Sequence, residues 1–223
     1  TVELLKILME KDIKQGIIKK SIVEFPGESI SSIFKKAIEN LENTVGVFYI
    51  YNKNKKLILV DYSKDIKNKA VKLFTSKKFI PKYVQNNFKS IKTHKTGNVE
   101  IAILKAIQEI KSLRPKINNN IDPKLFYKID VPHVISDKKN FIITFSGKKD
   151  DEKGFILFKD CKVIGYGYFD LFNNINTEKK LNSRVVKVDE CKKVKNYVYR
   201  VISEKRYKKL LTLDEIYKFS GIE

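Results

Sequence analysis

The stretch GVFYIYNKNKKLILVDYS, residues 46–63, decides the reading of this chain. Two short runs rich in aliphatic and aromatic residues, Gly46 to Tyr51 and Lys56 to Tyr62, flank the polar turn NKNK. That pattern predicts a β-hairpin. The residues after the hairpin predict helices. Ser63 is read as the cap of a helix from about Lys64 to Thr75, with Ile66, Ala70, Leu73 and Phe74 as its apolar face. Pro81 suits the first turn of a second helix ending near Phe88. Ser90 to Lys95 reads as a third strand. Asn98 caps a third helix that runs to about Leu113 and is stopped by Pro115. The predicted order is ββααβα, a small sheet with helices packed on it.

Working outward, Asn118 to Pro132 reads as a connector. Three apolar runs then alternate with polar turns: FIITF, GFILF and VIGYGYFD. They predict an antiparallel meander. The glycines of IGYGYFD lack the strand-loop-helix setting of a phosphate loop, and mark a bulge or a close strand approach. A helix is expected from about Asp189 to Lys205, and KKLLTL is read as a last strand or the lead-in to a short C-terminal helix. Toward the other end, TVELLKILMEKD is in helical phase from its first residues, and SIVEFPGESI reads as a linker leading to a short helix over Ser31 to Asn40. Thr1 is not a start Met, so a longer parent polypeptide is expected. The fold class is therefore α+β: residues 1–42 end an upstream domain and its linker, residues 43–119 form the ββααβα unit, and residues 120–223 form a second α+β domain.

Composition narrows the function. The chain has 223 residues, 42% hydrophobic and 11% aromatic, which is globular rather than disordered. Its net charge is +20, and this favours a polyanionic partner, nucleic acid first. The surplus is concentrated: residues 46–118 hold 17 Lys and Arg against 4 Asp and Glu, a balance of +13. Cys161 and Cys191 stand alone, without a CxxC pair, and read as free thiols in a reducing compartment. With His94 and His133 isolated, no zinc site is expected. No apolar run reaches membrane-spanning length. The chain is expected to be cytoplasmic, to act away from membranes and to need no cofactor in this segment.

The hairpin, the basic helix and the ending TGNVEIAILKAIQEIKSLRPKIN together resemble the GIY-YIG nuclease domain. That domain occurs in excision nucleases of the UvrC type. It also occurs in bacterial fusions where it comes after a DNA polymerase III epsilon-like exonuclease domain. TVELLKILMEKD, VEFPG and the pair EKGFILF and IGYGYFD resemble the last exonuclease helix, the linker and the tail domain of those fusions. The resemblance implies a setting in DNA replication or repair. It also implies a place for each catalytic residue, and this chain departs at nearly all of them. The two motif tyrosines fall on Phe48 and Leu59, neither of which can position or deprotonate a water. The catalytic arginine falls on Lys69, which keeps the charge but not the planar fork. The metal-binding glutamate falls on Ala106, which cannot ligate Mg²⁺. The asparagine of the PxxN ending is kept as Asn118.

No catalytic residue or metal ligand is therefore expected. Glu109 and Asp61 are the nearby carboxylates; Glu109 sits about 60° around the helix from Ala106, and Tyr49 points to the strand face opposite Phe48. Ala106, Phe48 and Leu59 read as core. The basic positions Lys64, Lys67, Lys69, Lys72, Lys77, Lys78 and Lys82 are the candidate nucleic-acid contacts, with Tyr62 and Tyr83 as neighbours able to stack on bases. The expectation is a non-catalytic nuclease-like module that holds DNA, or a replication or repair protein, for an upstream 3′–5′ exonuclease domain. A weakly active metal-dependent endonuclease and a purely structural or oligomerising role are the alternatives.

Overall fold

The computed structural model describes residues 32–117 and 121–218. The expected N-terminal helix and linker, and Asn118, lie outside the described residues. From Ala37 onward the chain belongs to one compact unit. It contains two antiparallel sheets and is α+β, as the sequence predicts.

Helix α1 is Ser32–Glu39. Strands β1 (Gly46–Asn52) and β2 (Leu57–Ser63) form the hairpin. Asn52 closes its turn, its side chain accepting from the Asn54 and Lys56 N–H groups. Helix α2 runs Ile66–Thr75, α3 Phe79–Asn87, β3 Phe88–Lys95 and α4 Val99–Leu113. The first sheet has the order β2-β1-β3. The cap of α2 is Asp65, whose side chain accepts from the Asn68 N–H; Ser63, expected in that role, instead accepts from the Asp65 N–H one step earlier. Asn98 caps α4 as predicted, accepting from the Ile101 N–H. Arg114, in the left-handed region, ends α4 one residue before Pro115.

The second sheet has the order β7-β6-β5-β4-β8. Its centre is the expected meander: β4 (Phe141–Ser146), β5 (Lys153–Lys159) and β6 (Lys162–Phe169). Lys209–Thr212 adds β8 beside β4, and helix α8, Leu213–Lys218, comes directly after it. Four short elements escape the sequence reading: a 3-10 turn (Pro123–Phe126), α5 (His133–Lys138), α6 (Glu178–Arg184) and β7 (Val186–Lys187). Each is two turns or less, too short for a hydrophobic period to register. Helix α7 occupies Lys192–Ser203. The FIITF and GFILF strands are apolar throughout because both faces of this sheet are covered. Phe141, Ile143, Ile156 and Phe158 pack with α4 and α7. Ile142, Phe155 and Leu157 pack with Leu181 of α6 and Leu213 and Ile216 of α8.

Helix α4 joins the two sheets. Its small residues, Ala102 and Ala106, lie against Val47 and Val60 of the first sheet. Its large ones, Ile101, Ile103, Leu104 and Ile107, enter the core of the second. Only small side chains let a helix approach a sheet this closely, so the alanine at 106 has a packing reason. Leu113, the last residue of α4, is 51% exposed.

The glycine before α4 makes a second joint. Gly97 has φ +75°, and a Cβ there would collide with the Gly147 carbonyl oxygen in the β4–β5 turn. Asn98 Nδ2 donates to the Ser146 carbonyl at 2.7 Å, and the Tyr168 hydroxyl donates to the Thr96 carbonyl at 3.1 Å. The glycines of β6 serve close approach, as expected. A Cβ at Gly165 would meet the Val186 carbonyl, and one at Gly167 the Arg184 carbonyl.

Candidate nucleic-acid interface

The register of the first sheet sorts the candidate residues. Phe48 lies opposite Asp61, and Ile50 opposite Leu59, so all four share one face. Phe48 and Leu59 are fully buried there. Ala106 belongs to the cluster on the other face, with Val47 and Val60. The structure therefore brings Phe48, Leu59, Asp61 and Lys69 together and leaves Ala106 across the sheet from them.

Asp61 is the unexpected group on this face. It is only 3% exposed, and Lys69 of α2 reaches it with Nζ 2.8 Å from Oδ2. The Tyr62 N–H donates to Oδ1 at 2.8 Å, and Lys69 also donates to the Tyr62 carbonyl at 2.8 Å. The ammonium lies 4.9 Å from the centre of the Tyr62 ring. Burial pushes the Asp61 carboxyl up, and the Lys69 charge beside it and the two hydrogen bonds pull the other way. Lys69 is thus committed inward. Its charge is matched by Asp61, and its nitrogen is held by Asp61, the Tyr62 carbonyl and the Tyr62 ring. Tyr62 is half-buried, with Lys69 over its ring and the core beside it.

The remaining lysines stand differently. Lys64, Lys72, Lys77, Lys78 and Lys82 are exposed, and Lys67 is half-buried. They lie on α2, on α3 and at the ends of α2. Gln85 of α3 ties this corner down, its Nε2 donating to the Leu73 carbonyl at 3.2 Å and the Ser76 carbonyl at 3.0 Å. Phe74 and Phe88 meet edge to face beneath it, 5.0 Å apart. One contact that the sequence does not reveal extends the patch: Lys116 lies 5.0 Å over the Tyr83 ring. Lys116 is brought there because Ile117 docks on β2, its N–H donating to the Ile58 carbonyl at 2.8 Å. The exposed lysines of α2 and α3 and the Lys116–Tyr83 pair thus belong to this corner of the fold.

A second polar group lies on the α4 face. Tyr49 and Glu109, far apart in the sequence, come near one another here: the Tyr49 hydroxyl is pushed well up, first by burial and then by the Glu109 carboxylate nearby. Lys105 pairs with Glu109 at 2.6 Å. His94 sits nearby, its pKa lowered by partial burial and then by Lys105 and Lys148. Only the packing of α4 on β1 reveals the Tyr49–Glu109 approach.

At the position where the resemblance places a metal-binding glutamate, the chain offers no oxygen ligand. Ala106 offers a methyl group inside a packed cluster, and Glu109, three residues on along α4, is paired with Lys105. Among the described residues no three of His, Cys, Asp or Glu converge on one point. None of the described helices is long and apolar enough to cross a membrane. Cys161 and Cys191 are free thiols.

No family model matches the chain. It is similar to UvrABC system protein C of Borreliella burgdorferi strain ZS7, with 26% identity over 179 residues, 76% of this chain and 26% of that protein. The same protein of Borrelia garinii subsp. bavariensis is 27% identical over 179 residues, again 76% of this chain and 26% of that protein. The chain spans about a quarter of the length of the curated relatives it matches. Among solved structures, the GIY-YIG N-terminal endonuclease domain of UvrC from Thermotoga maritima, bound to magnesium, aligns over 39% of this chain and 96% of that one, with 20% identity and a TM-score of 0.36. The chain is thus similar to UvrC proteins over three quarters of its length, and its first sheet with α2, α3 and α4 has the element order ββααβα.

Proposed function

We propose that this chain is a nuclease-like module without hydrolytic activity that binds DNA, in a repair or replication setting, through the basic face of α2 and α3. The observation that carries the reading is the buried Asp61–Lys69 pair. Where the resemblance calls for a free arginine facing a phosphate, the chain has a lysine neutralised from within. The two tyrosine positions beside it are buried Phe48 and Leu59. The exposed lysines lie apart from this buried pair, on a corner of α2 and α3 suited to hold a backbone rather than to cut it. An upstream 3′–5′ exonuclease domain, whose end and linker are read from the sequence of residues 1–42, remains part of this proposal, as does a protein partner from replication or repair.

The test is binding of short DNA across a salt series. Removing a single phosphate contact should lower the slope of log K against log salt by about one. Lys64→Glu with Lys72→Glu should weaken binding and flatten that slope without changing the melting temperature. Lys69→Met should leave the slope as it is. An unchanged slope in the double variant sinks the assignment of this face.

The Tyr49–Glu109–Lys105 group favours a second reading, a weak hydrolase in which Glu109 serves as a displaced base. Divalent-metal-dependent cleavage of DNA by the purified chain, abolished by Glu109→Gln and kept by Lys69→Met, would establish it in place of the first.

A further inference from the structure

Leu171 and Phe172 are 87% and 91% exposed. The other exposed large hydrophobics among the described residues lie between 42% and 60%. An isolated exposed leucine needs no explanation, but two adjacent apolar side chains almost wholly in water do. They form the apex of the turn after β6, and that turn is held in shape. The Asp170 carboxylate accepts from the Phe172 N–H at 2.9 Å, the Asn173 N–H at 2.6 Å and Asn173 Nδ2 at 3.0 Å. Arg184 Nη2 donates to Asn173 Oδ1 at 2.8 Å, tying the turn to α6. The backbone is satisfied by its own side chains, so the two apolar groups are displayed rather than left over.

Cations flank the apex. Lys153 lies 5.9 Å from the centre of the Phe169 ring and Lys148 lies 3.9 Å from that of Tyr168, the two rings leading into the turn. Lys180 and Arg184 stand on α6 behind it. Of the nearby acids, Asp170 is occupied within the turn, Glu178 is paired with Lys159, and Glu152 accepts from the Lys148 N–H. Asp150 and Asp151 are the two left exposed.

We propose that Leu171 and Phe172 form a wedge that enters between stacked base pairs of duplex DNA while the flanking cations hold the neighbouring phosphates. The inference rests on the reading that the chain binds nucleic acid. A base step suits the feature better than a protein surface. Two side chains at a turn apex offer a few hundred Å² at most, against roughly 800 Å² for each side of a stable protein interface. Inserted leucine or phenylalanine between base steps, with cations on the adjacent phosphates, is a known way of kinking a duplex.

The test uses the whole chain and a duplex carrying 2-aminopurine, whose fluorescence rises when it unstacks. Binding of the native chain should raise the signal and bend the duplex, read by energy transfer between its ends. Leu171→Ser with Phe172→Ser, at surface positions where melting should not change, should abolish both signals. It should weaken binding about tenfold, the worth of roughly one stacked base, with the salt slope kept. Salt-sensitive binding without any rise in the native chain, or an equal rise in the variant, overturns the wedge and leaves the basic face standing. Absence of salt-sensitive binding altogether overturns both.

Discussion

At the scale of single residues, the informative change is a pair. An aspartate placed alone at 61, 3% exposed, would be a buried charge without a partner and strongly unfavourable. A lysine placed alone at 69 would be an ordinary half-exposed cation. Together they close a 2.8 Å contact with both ends hydrogen-bonded to the Tyr62 backbone. Removing one partner should therefore cost far more than removing both. Lys69→Ala should destabilise the protein by about 2 kcal/mol, below the roughly 3–5 kcal/mol of a fully buried pair because Lys69 keeps about a third of its side chain exposed. Asp61→Leu with Lys69→Leu should fall within about 1 kcal/mol of the native protein, since an apolar pair avoids the desolvation of two charges. Urea denaturation of the three proteins checks this. A Lys69→Ala variant as stable as the native chain would mean that the pair contributes no net stability.

At the scale of elements, the joint between sheets turns on Gly97. Its φ of +75° lies in the left-handed region, and its Cα faces the Gly147 carbonyl too closely for any Cβ. Gly97→Ala should cost at least about 2 kcal/mol, combining backbone strain with a clash against main chain that cannot swing away. Gly147→Ala should cost a comparable amount, because its Cβ would collide with the Glu152 backbone carbonyl. Differential scanning calorimetry measures both. The hairpin, the Asn98 cap, the Pro115 stop and the meander were legible in the sequence because each is encoded within a dozen residues by period, cap or turn. The Asp65 cap differed from the expected Ser63 because two competent side chains stand two residues apart and only the start of the helix selects between them. The candidate lysines were legible as a cluster. That Lys69 pairs with Asp61 was not legible, because its partner lies on another element. The Tyr49–Glu109 approach and the Lys116–Tyr83 contact were hidden for the same reason: neither can be read from spacing, and each depends on which face of a strand meets which face of a helix.

At the scale of the molecule, α4 makes the two sheets depend on each other. Ala102 and Ala106 belong to the core of the first sheet, and Ile101, Ile103, Leu104 and Ile107 to that of the second. A chain ending at residue 117 would keep every strand of the first sheet yet present four large aliphatic side chains to water. At about 1.5–3 kcal/mol for each buried side chain, that loss is comparable with the whole stability of a small domain, about 5–15 kcal/mol. The first sheet alone is therefore expected not to fold, and the chain is expected to unfold as one cooperative unit. Two probes decide this. Far-ultraviolet circular dichroism follows the helices, and tyrosine fluorescence follows Tyr49 beside α4 and Tyr197 in the second core. Their urea transitions should coincide in the native chain. A fragment of residues 37–117 should give a broad transition and bind a dye specific for exposed apolar surface. Separate transitions, or a fragment with a sharp transition of its own, would make the two sheets independent domains. Charge substitutions on the basic face of α2 and α3 are expected to leave this shared transition where it is, because none of those lysines contributes to either core.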